Sequence, residues 1–314
     1  MPLSPFSLER SARGRSDLVF ISESGQIIRT GLVSVTFRQA SPETIIDWAV
    51  ESGLEAIEWG GDIHVPAGNL DTAYKVGLQT RNRGLTVPTF GSYYRVGLNS
   101  KAEKDLPKSN LDFAKVLATA LALRAGTIRV WANVMASEVA GDQDWEDTVT
   151  DLIRIRDMAA DEGISISLEY HNNTLNDCPE ATTRLLTAAD GIFPVHTFWQ
   201  PLDELTLAQK LETLHASLPW LSHVHVFADQ RASRLMQDTS EHWHDYLPVI
   251  LSAPALSEQK GGCQPVDRCL MIEFVQGASR ESLLLDAATL DGWLEKFRIS
   301  PAEMPQNIVK NGVV

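Results

Sequence analysis

From about residue 30 onward the chain alternates two textures. Short β-branched or apolar runs are followed by longer stretches whose apolar residues recur every three to four positions. The runs predict strands beginning near residues 32, 54, 85, 127, 164, 192, 221 and 269. The first is expected over 32–37. Ser41 then offers a side-chain cap, Pro42 sits in a first helical turn, and Ile45, Ile46, Trp48 and Ala49 continue at helical spacing up to Gly53. Further helices are predicted over 69–83, 108–124, 144–162, 179–189, 203–217 and 279–297, with a weaker one at 241–252. Gly84 and Gly163 stand just past two of these ends. Strands alternating with helices form parallel βαβ units, and eight such units predict one α/β (β/α)8 TIM barrel, with a doubly wound open sheet as the alternative. The stretch 257–267, with Gly261, Gly262 and Pro265, reads as a loop. No linker divides the chain, so the expected organisation is an N-terminal extension over 1–30, a barrel over 31–299 and a C-terminal tail over 300–314.

Composition narrows the function classes. The 314 residues are 44% hydrophobic and 22% charged, which suits a folded chain with a large core. With 27 basic and 41 acidic residues the net charge is −14, which argues against a general nucleic-acid or anionic-membrane surface. No apolar run approaches the ~20 residues of a membrane span. The first 16 residues lack the apolar centre of a secretory signal, and the three cysteines have no CxxC spacing. The expectation is a cytoplasmic protein with a small-molecule partner; a homo-oligomer is compatible with the chain.

A barrel builds its site at the C-terminal ends of its strands. The polar residues there are Glu58 and His64 after the second strand, Tyr94 and Arg95 after the third, and Arg129 and Trp131 at the fourth. Glu169 and His171 end the fifth, His196 and Gln200 the sixth, His223 and His225 the seventh, and Glu273 the eighth. A carboxylate following an apolar strand run is costly unless paired or metal-bound. Glu169, Glu273, His225 and either His196 or Gln200 make an oxygen- and nitrogen-rich set. It suits Mn²⁺, Mg²⁺ or Co²⁺, with Zn²⁺ as a further option.

The segments around Glu58-Trp59-Gly-Gly-Asp-Ile-His64, Leu-Glu169-Tyr-His171, Trp199-Gln-Pro, His223-Val-His225-Val-Phe and Ile272-Glu273-Phe resemble the sugar phosphate isomerase/epimerase family, within the xylose-isomerase-like TIM barrel superfamily. The resemblance spans roughly residues 30–298. It implies one divalent ion, commonly Mn²⁺, held by Glu169, His225 and Glu273. It also implies an arginine role for Arg231, six residues beyond His225. The family's strand-six Asp-x-x-His is here His196-Thr197-Phe198-Trp199, so the fourth ligand is expected from His196 or from Gln200.

The activity implied is that of a sugar isomerase or epimerase. Glu169 and Glu273 would exchange a proton next to a carbonyl through an enediolate held on the metal, with His171 and Arg231 stabilising charge on oxygen. Glu58, Trp59, His64, Tyr94, Trp131 and Trp199 would contact the sugar. The alternative is a lyase, dehydratase or deglycosidase that eliminates a β-substituent after the same proton abstraction. A damaged-DNA endonuclease with three Zn²⁺ ions fits poorly with eight histidines and a charge of −14. A non-catalytic sugar-binding barrel would require an incomplete ligand set. No Gly-rich phosphate cradle appears at the strand ends, so an unphosphorylated sugar is expected.

Overall fold

Strands buried on both faces read as continuous apolar runs, and such strands close the barrel here. The structure, a computed structural model, describes residues 19–22, 24–98, 112–256 and 267–299. Its strands are β1 Val19–Ile21, β2 Ile27–Val33, β3 Ala56–Gly60, β4 Thr89–Val96, β5 Thr127–Ala132, β6 Ser165–Glu169, β7 Val195–Trp199, β8 Leu221–Val226, β9 Arg268–Ile272 and β10 Arg298–Ile299. β2 to β9 pair in parallel in chain order, and β9 returns to β2 from Ile28↔Arg268 to Leu32↔Ile272, closing an eight-stranded barrel. A helix follows each barrel strand: α1 Pro42–Glu51, α2 Leu70–Asn82, α3 Phe113–Leu123, α4 Asp142–Ala160, α5 Pro179–Ala188, α6 Leu207–Ser217, α7 Ser240–Leu251 and α8 Arg280–Leu294.

Local chemistry sets these boundaries. Ser41 Oγ accepts the Thr44 N–H at 3.2 Å to open α1, and Asn69, Asp112 and Ser279 cap α2, α3 and α8 in the same way. Thr206 and Gln209 form a reciprocal capping box on α6. Neighbouring strand residues pack into different cores, as the two-residue period requires. Leu32, Ile57 and Leu270 join the large cluster between strands and helices, whereas Val33, Ala56 and Met271 join Phe198 and Cys269 inside the barrel.

Three expectations shift. The first barrel strand is Ile27–Val33, not 32–37, because Ser34–Phe37 turns as a 3-10 helix in which Ser34 Oγ accepts the Gly60 N–H at 2.9 Å. Arg29, Thr30 and Gly31 broke its apolar run in the sequence. The third barrel strand is Thr89–Val96 rather than 85–90; residues 85–88 contribute only the isolated bridge at Thr86. β1 and β10, three and two residues long, pair with each other antiparallel, and β1 also pairs with β2. So part of the expected N-terminal extension is joined to the sheet. Residues 1–18, the tail 300–314, residues 108–111 of the expected third helix, and all of the expected 257–267 loop except Asp267 lie outside the described residues. Among the described residues, no helix is long and apolar enough to cross a membrane.

One buried acid works against the fold at neutral pH. Burial, aided by Asp238, lifts the Asp286 carboxyl to about 6, although the Met236 N–H donates to it at 2.8 Å. An acid with a raised folded-state pKa contributes stability that is present below its unfolded value near 4 and is lost as pH rises through about 6. Asp286→Asn is therefore expected to raise stability by about 1–2 kcal/mol at pH 8 and to change little at pH 4. Chemical denaturation at the two pH values checks this; an equal effect at both would count against the assignment.

Candidate active site

The inward face of each strand builds the barrel mouth. Glu58 of β3, Arg129 and Trp131 of β5, Glu169 of β6 and His225 of β8 all point inward, joined by Gln200 just past β7 and Glu273 just past β9. Arg129, Trp131, Glu169, Gln200 and Glu273 line a pocket of about 400 Å³, whose walls also include Tyr93, His171 and Phe274, while Glu58 and His225 are wholly buried behind them. Tyr93 and Phe274 hold left-handed backbones, with φ of 59° and 52°. Such strained non-glycine residues cluster at functional sites.

Arg129 organises the charges. Its Nε donates to Glu58 Oε1 at 2.9 Å and its Nη2 lies 2.8 Å from the same oxygen, while its Nη1 donates to Glu169 Oε2. The guanidinium passes over β4 at Gly91, where a Cβ would lie 2.7 Å from Arg129 Nη2 and 2.8 Å from Glu58 Oε1; only glycine leaves this space. Burial opposes ionisation of Glu58, but the Arg129 charge outweighs it and, with His225, holds the carboxyl down to about 2. Burial likewise opposes the charge on Arg129, and its acidic neighbours, Glu58 foremost, raise its pKa above the ordinary arginine value.

Glu169 is fully engaged. Trp131 Nε1 also donates to Oε2, and Gln200 Nε2 donates to Oε1 at 2.9 Å. Gln200 Nε2 meets a second acceptor, the Tyr170 carbonyl, at 3.0 Å, which fixes the orientation of its amide. Glu273 contrasts with this: its Oε2 is buried and accepts no hydrogen bond. It lies 3.4 Å from His225 Nδ1, which is also 3.7 Å from Glu169 Oε1. On the far side of the ring, His225 Nε2 faces the unpartnered Glu58 Oε2 at 3.7 Å. Among the described residues no group of three or more His, Cys, Asp or Glu side chains is placed to hold a metal ion together.

The profile of the xylose isomerase-like TIM barrel family matches residues 46–235. The chain belongs to that family. A 3-dehydroshikimate dehydratase of Bacillus anthracis is 24% identical over 212 residues, spanning 63% of this chain and 71% of that one. Among solved structures, the D-psicose 3-epimerase of Clostridium cellulolyticum H10 superposes with a TM-score of 0.61 at 15% identity, over 84% of this chain and 98% of that one. A xylose isomerase-like TIM barrel protein from Mycobacterium smegmatis, in complex with magnesium, gives 0.58 at 12% identity, over 86% and 97%. At these identities the likeness concerns the fold.

Within this family member the expected site residues divide by strand face. Glu58, Trp131, Glu169, His171, Gln200, His225 and Glu273 come together at the mouth. His196 does not: it pairs in register with Ser167, two residues short of Glu169, and is wholly buried deeper in the barrel. Of the two candidates for the fourth position, Gln200 is the one at the pocket. Trp59 and Trp199 point outward, donating to Thr80 of α2 at 3.2 Å and Thr213 of α6 at 3.0 Å. Tyr94 points outward too and donates to Asp151 of α4 at 2.9 Å. His64 packs edge-on to Trp59 with Nδ1 3.1 Å from Ser34 Oγ, away from the pocket. Arg231 pairs with Asp203 at 3.2 Å and lies over Phe274, beside the pocket-lining Ala232. Arg129 and Tyr93 line the pocket as well, strand-end residues to which the sequence reading assigned no role. The available signal was parity: Arg129 shares a face with Trp131 in an otherwise apolar strand.

Breaking a buried ion pair from one side costs about 3–5 kcal/mol. Arg129→Leu is expected to cost that much at pH 7. In the native protein Glu58, held at about 2, contributes stability that is present above its unfolded value near 4.5 and is lost as pH falls toward 2. In the variant only His225 opposes the effect of burial, so the Glu58 carboxyl rises and the deficit should shrink between pH 7 and pH 4.5. Urea denaturation across that range measures it; a deficit independent of pH would contradict the role given to Arg129.

Proposed function

We propose that the chain is a divalent-metal-dependent enzyme that removes the proton next to a carbonyl in a small sugar-like substrate. In this reading one carboxylate, Glu273, acts as the base and a β-hydroxyl is eliminated. The observation that carries it is the asymmetry of the two glutamates. Both oxygens of Glu169 already accept hydrogen bonds, whereas Glu273 lines the pocket and its buried Oε2 accepts none, with His225 Nδ1 3.4 Å away. A two-base epimerisation needs both carboxylates free to carry protons; this arrangement provides one.

The donor set fits a divalent ion. Three buried carboxylates, Glu58, Glu169 and Glu273, stand against one guanidinium, Arg129, which leaves two formal negative charges around a histidine whose two ring nitrogens make no hydrogen bond. Glu169 and His225 would hold the ion, with the Glu273 carboxylate beside His225 Nδ1. Oxygen and imidazole donors suit Mn²⁺ or Mg²⁺, and Zn²⁺ is accommodated as well. Glu58 would accept from His225 Nε2–H and so fix the tautomer that leaves Nδ1 free for the metal. When bound, the ion would act as a Lewis acid that lowers the pKa of the C–H next to a carbonyl.

The chain's own groups complete the chemistry. Glu273 takes the proton as the C–H bond breaks, its electrons form the new C=C bond, and the β C–O bond breaks. The departing oxygen takes a proton from Tyr93, whose hydroxyl is kept protonated chiefly by burial and receives a hydrogen bond from Arg38 at 3.4 Å. Proton return from Glu273 to Tyr93 through solvent restores both groups, with water as the by-product. The dehydratase relative points the same way. One feature favours isomerisation as a second reading. His171 donates its Nδ1–H to the Asn172 carbonyl at 2.7 Å and is held neutral first by burial, which leaves Nε2 bare to relay a proton between neighbouring oxygens.

Incubation in D₂O with Mn²⁺ and a panel of ketoses and keto-substituted cyclic polyols tests the reading. Loss of water with cleavage of one C–H bond is expected. Glu273→Gln should reduce it by about 10³-fold or more, and Glu169→Gln should weaken Mn²⁺ retention in equilibrium dialysis. Deuterium incorporation with inversion at one carbon would establish two-base epimerisation instead, and no exchange with any member of the panel would overturn the proposal.

A further inference from the structure

Arg95 is the unusual cation of this site. It lies on β4 in register with Trp131, and its guanidinium carbon sits 3.5 Å from the centroid of that ring. Among the described residues its one hydrogen bond runs from Nη1 to the Asn133 carbonyl at 3.2 Å, and no carboxylate pairs with it. The other arginines around the pocket each have an acid: Arg38 has Asp62 at 2.5 Å, Arg231 has Asp203 at 3.2 Å, and Arg129 has Glu58 and Glu169. Burial and the nearby Arg129 push the Arg95 pKa down to about 10, which still leaves it charged at neutral pH. Stacking on an indole offsets part of the cost of a half-buried cation, but leaves most of its donors unused.

Trp131 ties Arg95 to the pocket. The ring lines the cavity, its Nε1 reaches Glu169, and His171 packs against it with centroids 5.0 Å apart. Arg95 is not itself part of the cavity wall, so a ligand reaches it by extending past the Trp131 ring.

We propose that the substrate carries a carboxylate and that Arg95 is the residue that receives it. This rests on the reading of the pocket as the substrate site. A planar carboxylate matches the parallel N–H donors of a guanidinium, and one positive charge with no carboxylate partner among the described residues matches one carboxylate. A phosphate dianion would call for a second uncompensated cation, and each of the other arginines named above is already paired. The substrate class is accordingly a hydroxylated acid, a sugar acid or cyclic hydroxy acid with a carbonyl, rather than a neutral sugar. In the elimination described above, a carboxylate anchored at Arg95 would leave the reacting carbons to lie between Glu273 and Tyr93.

Calorimetry on the full chain, with and without Mn²⁺, tests this with paired probes: D-gluconate against D-glucitol, D-glucuronate against D-glucose, and quinate against myo-inositol, with D-glucose 6-phosphate and acetate as controls. At least one acid is expected to bind more tightly than its neutral partner. Arg95→Gln should weaken that acid by about 10- to 100-fold while leaving the neutral partner unchanged, and Arg95→Lys should recover part of the loss. Matching thermal melts of wild type and Arg95→Gln would separate this from a folding defect. The proposal fails if no acid exceeds its neutral partner, if Arg95→Gln retains the preference, or if the phosphate ester or acetate binds as well as the best acid. Binding is read without turnover, so failure of the proton-abstraction reading would show in the exchange experiment and leave this outcome untouched.

Discussion

A guanidinium buried inside the barrel, 2% exposed, dictates how the mouth is built. Arg129 has Glu58 on one side and Glu169 on the other, and crosses β4 where Gly91 leaves room. Each element of that arrangement depends on the others. Without Arg129 two carboxylates lose their counter-charge in a low-dielectric interior, and without the carboxylates the guanidinium cannot be buried. With a side chain at position 91 the three could not meet. The triad also fixes Glu169 so that its oxygens are occupied, which leaves Glu273 as the free carboxylate of the pair. The asymmetry between the two glutamates is thus in part a consequence of the charge pair that Glu169 makes with Arg129, completed by Trp131 and Gln200.

The barrel itself was legible because its signal repeats. Eight apolar runs, each followed by a helical period, admit few other folds, and side-chain caps such as Ser41 marked helix starts to within a residue. What escaped were short or interrupted strands. β1 and β10 carry two or three residues each, too few for any period to show, and their pairing is settled by contacts across the whole length of the chain. β2 was displaced because Arg29, Thr30 and Gly31 interrupt its apolar run. In the folded chain Arg29 finds Asp267 and Glu55 at the barrel base, a pairing that no local pattern reveals.

The site was half legible for a related reason. Strand ends locate a barrel's chemistry, so Glu169, Glu273, His225, His171 and Trp131 were found from position alone. Which of two adjacent residues faces inward depends on parity, and parity depends on register. Trp59, Tyr94 and Trp199 each stand next to an inward-facing neighbour, Glu58, Tyr93 and Gln200, and each hydrogen-bonds to a helix instead. A shift of one position exchanges the two faces of a strand. His196 illustrates depth rather than parity: four residues before Gln200, it lies well below the pocket.

Charge connects two features of the mouth. A neutral amide, Gln200, stands at the pocket, and a cation, Arg129, is present in the same layer. With an aspartate at position 200 the layer would hold four carboxylates against one guanidinium, leaving three negative charges for a divalent ion to face. With glutamine it holds three, leaving two, and the amide N–H adds a donor that steadies Glu169 Oε1. Gln200 and Arg129 are therefore best understood together, as parts of one charge balance. That balance leaves Arg95, stacked on Trp131, outside it.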